Sequence, residues 1–132
     1  MIQKIPFRLA VNTSLCIFIS AIFYHLLVIA GVIPHSIVWG GRIENNSQMV
    51  IFEIVSISIL LIIMFFIGMK ANLIKKFISE KIITIMIYGL SLLFALNTIG
   101  NIFSLSKLES LLFTPITLLL SVLCFRIASE KK

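Results

Sequence analysis

The stretch that decides the fold is residues 49–69, MVIFEIVSISILLIIMFFIGM, in which Glu53 is the one charged residue. At about 1.5 Å per residue, a helix of this length crosses roughly 30 Å of hydrocarbon. A backbone in lipid must satisfy its own hydrogen bonds, and the stretch lacks the alternation of a barrel strand. The sequence therefore predicts a transmembrane helix here.

Three further apolar stretches accompany it, at residues 9–33, 82–103 and 108–127. The chain of 132 residues is 60% hydrophobic and 12% charged, whereas about a quarter of a soluble domain is charged. Such a chain cannot cover itself with polar groups in water, and its length leaves no room for a soluble catalytic module. We predict an all-α polytopic membrane protein, a single transmembrane domain over residues 1–132 that forms an antiparallel four-helix bundle.

The lysines and arginines are divided unequally between the two sides of this arrangement. Nine of them belong to one side, namely Lys4, Arg8, Lys70, Lys75, Lys76, Lys81, Arg126, Lys131 and Lys132. Arg42 and Lys107 belong to the other. Because cytoplasmic segments carry the excess of positive charge, both termini are predicted to be cytoplasmic, in a bacterial inner (plasma) membrane.

An alternative for the first stretch stays open. Lys4 and Arg8 precede an apolar run that ends in small residues at 28–30, which also fits a cleaved signal peptide. The run is about twice the usual length of a signal core, and it contains His25. Cleavage would leave three spans.

Composition and spacing disfavour several classes of function. The basic residues lie at the ends of the spans, without a basic face that carries stacking aromatic residues, so nucleic acid is not an expected partner. Cys16 and Cys124 each lie in an apolar stretch and form neither a CxxC motif nor a metal-ligand spacing. We expect no metal and no cofactor. The expected partners are membrane lipids, with a small ligand or a second membrane protein as further possibilities.

Small and polar residues recur at helical spacing on two of the predicted spans. In the third span these residues are Thr84, Tyr88, Ser91, Ala95 and Thr98. In the fourth span they are Thr114, Thr117, Ser121, Cys124 and Ala128. Small and polar residues mark contacts between helices in lipid, so we predict that these two seams pack against neighbouring helices.

Polar residues also collect in the outer half of the predicted bilayer, on all four spans. An ionisable residue there faces the protein interior or water and is by default a functional hypothesis. Trp39 and Arg42 lie in the loop between the first two spans, and their side chains could cover these polar residues. The candidate ligand-binding residues are His25, Trp39, Arg42, Glu53, Asn97, Asn101 and Thr114.

A purely structural interpretation of these residues is also open. Glu53 could pair with Arg42 and hold the loop in place, and Trp39 could anchor the chain at the membrane interface. Asn97 and Asn101 could provide hydrogen bonds between helices.

Four segments carry a resemblance to known proteins. Residues 35–44 read HSIVWGGRIE, residues 52–56 FEIVS, residues 96–101 LNTIGN and residues 113–117 FTPIT. Read together, they resemble a family of short, uncharacterised four-span bacterial integral membrane proteins, over most of the chain from residue 25 to residue 128. The resemblance implies an architecture and no activity.

Three hypotheses for function follow. The first is an outward-facing polar pocket that binds, or helps to move, a small ligand or lipid. The second is a structural or accessory subunit of a membrane complex. The third is a membrane-embedded enzyme in which His25 and Glu53 act as an acid–base pair.

Overall fold

The computed structural model describes residues 2–34, 38, 43, 45–104 and 107–131, and within these it contains α-helices and no strand. The α-helices are α1 (Phe7–Ile29), α2 (Asn46–Lys70), α3 (Glu80–Ile102) and α4 (Lys107–Ala128). A single 3₁₀ turn, Ile2–Lys4, precedes α1. All four α-helices are long and apolar enough to cross a membrane, which confirms the prediction of an all-α protein with four candidate spans.

Helix α1 ends at Ile29, four residues before the predicted end of the first span. Gly31 has a φ of 74°, a left-handed conformation that glycine adopts without a steric penalty. The amide of Gly31 bonds the carbonyl of Val28, and the amide of Val32 bonds that of Leu27, each at 3.0 Å. This Schellman pattern satisfies the last carbonyls and ends the helix before Pro34 is reached.

Helix α2 is longer than the apolar stretch that predicts it. The side chain of Asn45 accepts a hydrogen bond from the amide of Gln48 at 2.9 Å, so the helix begins at Asn46. At the other end Asn72 has a φ of 58°, and the amide of Leu73 bonds the carbonyl of Gly68 at 2.9 Å. A second Schellman pattern therefore ends α2 directly after Lys70.

Helices α3 and α4 pack against each other through the predicted seams. The Ser91 hydroxyl donates to the Ser121 carbonyl at 2.8 Å, and the Ser121 hydroxyl donates to the Ser91 carbonyl at 2.9 Å. Thr98 donates to the hydroxyl of Thr117 at 3.0 Å. These bonds confirm that the two seams face each other, since small side chains let the backbones approach closely.

Within the described part of the chain, Thr84, the first residue of the α3 seam, bonds to α2 and not to α4. Thr84 accepts a hydrogen bond from Lys70 Nζ of α2 at 2.9 Å. Lys70 is 2% exposed, although we counted it above only as a charge of the cytoplasmic loop. Its ammonium also bonds Glu80 Oε1 at 2.7 Å and the carbonyl of Glu130 at 3.3 Å. We call these four residues the Lys70 cluster, and they connect α2 and α3 with the segment that follows α4.

The apolar core has two parts. The larger part lies among all four α-helices and includes Ala10, Phe18, Ile67, Ile83, Ile87 and Cys124. The smaller part lies beside the connection between α1 and α2 and contains Val28, Val38, Ile43 and Met49. Large apolar side chains are also exposed on every helix, as expected where lipid rather than water is the solvent.

Candidate functional site

His25 and Glu53 meet between the first two helices. His25 lies on α1, four residues before the helix ends, and Glu53 lies on α2, seven residues after the helix begins. The Nδ1 atom of His25 is within hydrogen-bonding distance of Glu53 Oε2. The tertiary fold thus makes His25 a hydrogen-bond partner of Glu53.

The pair is well shielded. The Glu53 side chain is 1% exposed and that of His25 is 18% exposed. The ring of Tyr24 lies edge-on to the imidazole at a centroid distance of 5.7 Å, and Phe113 lies edge-on to Tyr24 at 5.9 Å. A buried carboxylate needs hydrogen bonds or an opposite charge to offset its lost hydration, and His25 supplies one such contact.

A cleft of about 390 Å³ adjoins this pair, and we call it the His25 cleft. All four helices contribute to its wall. The lining residues are Tyr24, His25, Val38, Glu53, Ser56, Ile59, Leu60, Ile63, Leu93, Phe94, Asn97, Asn101, Phe113 and Thr117. The volume is near the lower end of the range of about 300–1,000 Å³ that is typical of small-molecule sites.

Three polar side chains of the lining have unmet hydrogen-bonding capacity. Within the part of the chain that the structure describes, the side chains of Ser56 and Asn97 have no hydrogen-bond partner, and neither does Nε2 of His25. Ser56 lies ten residues into α2, about 15 Å along the helix axis. In a helix that spans a membrane, an unpaired polar group at this depth is costly unless water or a ligand reaches it.

Asn101 and Thr117 form a firmer part of the wall. Asn101 Nδ2 donates to the Thr117 hydroxyl at 3.4 Å, and Thr98 donates to the same hydroxyl. Thr117 in turn donates to the carbonyl of Phe113 at 2.8 Å. This network connects α3 to α4 beside the cleft. Asn101 therefore forms a hydrogen bond between helices and also lines the cleft.

The structure brings together four of the seven candidate residues. His25, Glu53, Asn97 and Asn101 all line the His25 cleft. Thr114 is not among the lining residues, and its buried hydroxyl has no hydrogen-bond partner within the described residues. Trp39 and Arg42 lie outside the residues that the structure describes.

Thr117 takes the place in the lining that we expected of Thr114. The two residues are three positions apart on the same seam, and the sequence does not reveal which one is turned toward the cleft. Ser56 was also missed, although its position three residues after Glu53 places it on the same helix face and was the available signal.

The geometry limits what the site can do chemically. If Nδ1 of His25 carries the proton and donates to Glu53, Nε2 is left as a hydrogen-bond acceptor or a base. Among the described residues no group of three or more histidine, cysteine, aspartate or glutamate side chains could hold a metal ion. The site therefore offers hydrogen bonding and proton acceptance beside an apolar wall.

Comparison with known proteins identifies no relative of this chain. No family model matches it, and neither a curated protein nor a solved structure is detectably similar.

Proposed function

We propose that this protein is an integral membrane protein of the bacterial plasma membrane that binds a small ligand or lipid in the His25 cleft. The observation that carries the proposal is that, among the described residues, Ser56, Asn97 and His25 Nε2 have no hydrogen-bond partner although they line a cleft. A ligand with polar atoms would satisfy these groups. A protein whose polar residues serve only to pack helices would pair them with one another, as Ser91 and Ser121 do.

The proposed topology has antiparallel helices, both termini in the cytoplasm and the His25 cleft in the outer half of the bilayer. The distribution of lysine and arginine supports this orientation. The contact of His25 with Glu53, and of Lys70 with Glu80, supports the antiparallel arrangement because each joins the end of one helix to the beginning of the next.

The proposal can be tested with a substitution whose larger side chain fills the cleft. Leu93 lines the His25 cleft, whereas its neighbour Leu92 is 63% exposed and is not among the lining residues. We would purify the wild type, Leu93→Trp and Leu92→Trp from membranes in mild detergent and measure retained small molecules by native mass spectrometry. Thermal unfolding of each variant checks that it is folded.

We expect the wild type and Leu92→Trp to retain the same bound species, and Leu93→Trp to retain at least about tenfold less of it. Equal occupancy in all three folded proteins would contradict binding in the cleft.

The His25–Glu53 contact also favours a second candidate, a membrane-embedded hydrolase. In such an enzyme Nε2 of His25 would accept a proton from water while the water oxygen attacks an ester carbonyl, and the proton would then pass to the departing alkoxide. Glu53 would hold the imidazole in the required tautomer. Release of alcohol from a fatty-acyl ester, lost in His25→Gln but retained in Leu92→Trp, would support this function, whereas equal release in His25→Gln would contradict it.

A further inference from the structure

We infer that the ligand of the His25 cleft is a single-chain amphiphile with an uncharged, hydroxyl-bearing head, which enters from the bilayer between α2 and α3. The inference rests on the proposed function and specifies its ligand. Four features of the cleft carry it, namely the position of its mouth, the order of polar and apolar residues along it, its volume and its charge.

The exposed residues of the lining are on α2 and α3, which places the mouth of the cleft between these two helices. Ile59 of α2 is 49% exposed and Leu93 of α3 is 45% exposed, and both line the cleft. Leu93 lies nine residues before the end of α3, about 14 Å along the axis, and Ile59 lies about 20 Å from the start of α2. When α2 and α3 span the membrane, these positions lie at the depth of the hydrocarbon. A ligand can therefore enter the cleft from the lipid.

The lining changes character along α2. Glu53 and Ser56 are followed by Ile59, Leu60 and Ile63, so the wall is polar at one end and apolar at the other. An amphiphile has the same order of groups. The apolar end is not itself a source of affinity, because lipid solvates an alkyl chain equally well. Affinity would come from the polar end, where a head group drawn into hydrocarbon finds hydrogen-bond partners.

The volume and the charge narrow the class of ligand. A cleft of about 390 Å³ has room for one alkyl chain with a small head, and a second chain would have to stay outside the cleft. The described lining residues include no lysine or arginine, and they include the carboxyl group of Glu53. Among these described lining residues, a phosphate head would find none of the lysine or arginine partners that proteins use for phosphate. A hydroxyl group can donate to Nε2 of His25 and accept from the amide of Asn97.

The test uses hexadecanol with a diazirine near the middle of its chain, incorporated into phosphatidylcholine nanodiscs that contain the full-length protein. After photolysis, the labelled residues are identified by mass spectrometry. We expect labelling of α2 at residues 59–63 and of α3 at residues 93–97. Unlabelled hexadecanol should compete at a concentration at least about tenfold lower than hexadecyl phosphate, and glycerol should not compete.

A matched pair of variants tests the polar end. Ser56 lines the cleft, whereas the hydroxyl of Ser58, two residues further along α2, donates to the carbonyl of Ile54 and is not part of the lining. Loss of one hydrogen bond of about 1 kcal/mol weakens binding roughly fivefold. We therefore expect Ser56→Ala and Asn97→Leu each to require about fivefold more probe for half-maximal labelling, and Ser58→Ala to match the wild type.

The outcomes separate this inference from the proposed function. Competition by hexadecyl phosphate as strong as by hexadecanol would overturn the uncharged head, and competition by glycerol would overturn entry from the bilayer, while both leave a ligand in the cleft. Labelling spread over all exposed helix faces, together with equal occupancy of Leu93→Trp and Leu92→Trp, would overturn the inference and the proposed function together.

Discussion

At the scale of single residues, the main feature is a carboxyl group that is 1% exposed inside a transmembrane helix. Glu53 lies about 10 Å from the start of α2, far enough inside that its charge would be costly without compensation. His25 provides a hydrogen bond from the adjacent helix. The pair therefore fixes which faces of α1 and α2 are turned toward each other.

The first prediction concerns this pair. Glu53→Gln keeps an oxygen that can accept from His25, and the loss of stability should be about 1 kcal/mol. His25→Leu removes the hydrogen bond while the carboxyl group stays buried, and the loss should be greater, about 2–4 kcal/mol. Thermal unfolding in detergent would compare the two. A smaller loss for His25→Leu than for Glu53→Gln would show that other contacts hold the carboxyl group.

At the scale of helices, α3 and α4 form the closest pair. Their contact depends on two serines that each donate to the other's backbone carbonyl. Such reciprocal bonds require the two backbones to lie close together, which only small side chains allow. The threonine network of Thr98 and Thr117 continues the same contact toward the His25 cleft. The α3–α4 pair is thus the rigid wall of the site.

The second prediction tests this contact. Ser91→Leu and Thr117→Leu should each lower the stability in detergent by about 1–3 kcal/mol. The bulky leucine separates the helices, and the hydrogen bonds of the replaced hydroxyl group are lost. Ile62→Leu is the control, since Ile62 is 56% exposed on α2, and it should change stability by less than about 0.5 kcal/mol. Equal tolerance of all three substitutions would mean that the seams do not hold the helices together.

At the scale of the whole molecule, the end opposite the His25 cleft is held by ions and hydrogen bonds. Lys70 contacts Glu80 and Thr84 of α3 and the carbonyl of Glu130 beyond α4. Arg126 Nε donates to the carbonyl of Ile5 at 2.7 Å and joins the segment before α1 to α4. The helices are therefore connected firmly at one end, while α2 and α3 leave a cleft toward the other.

The third prediction concerns Lys70. Lys70→Met should destabilise the protein by about 2–3 kcal/mol, because three hydrogen bonds from a buried ammonium are lost. Lys75→Met provides the control, since Lys75 is exposed and has no ion pair among the described residues; its effect should be within about 0.5 kcal/mol. Chemical unfolding in mild detergent measures both. Similar effects of the two substitutions would remove the Lys70 cluster as a source of stability.

The fourth prediction concerns orientation. Ser47 and Ser79 are both exposed; Ser47 lies in the first turn of α2, and Ser79 is the N-cap of α3, after the opposite end of α2. In a background with Cys16→Ala and Cys124→Ala, a membrane-impermeant maleimide added outside intact cells should label Ser47→Cys and not Ser79→Cys. Labelling of Ser79→Cys should require broken cells. Labelling from outside at Ser79→Cys alone would reverse the proposed topology.

The helices themselves could be predicted from the sequence with small errors at their ends. Four long apolar stretches in a chain with little charge leave only the helix as a structure that satisfies its backbone in lipid. The largest differences between the predicted and observed bounds are at the end of α1 and the beginning of α2, where capping residues define the helix ends. Gly31 ended α1 earlier than Pro34 would have done, and Asn45 started α2 before the apolar stretch, because hydrogen bonds of the backbone define helix ends more sharply than hydropathy does.

The sequence by itself determined the fold class, the four helices and four of the polar residues that line the cleft, namely His25, Glu53, Asn97 and Asn101. The tertiary structure alone decided that His25 meets Glu53, that Thr117 rather than Thr114 lines the cleft, and that Lys70 is buried. The physical reason is the solvent. In water an apolar stripe shows which face of a helix turns inward. In lipid both faces are apolar, so the rotation of each helix is decided by packing and by hydrogen bonds to its neighbours.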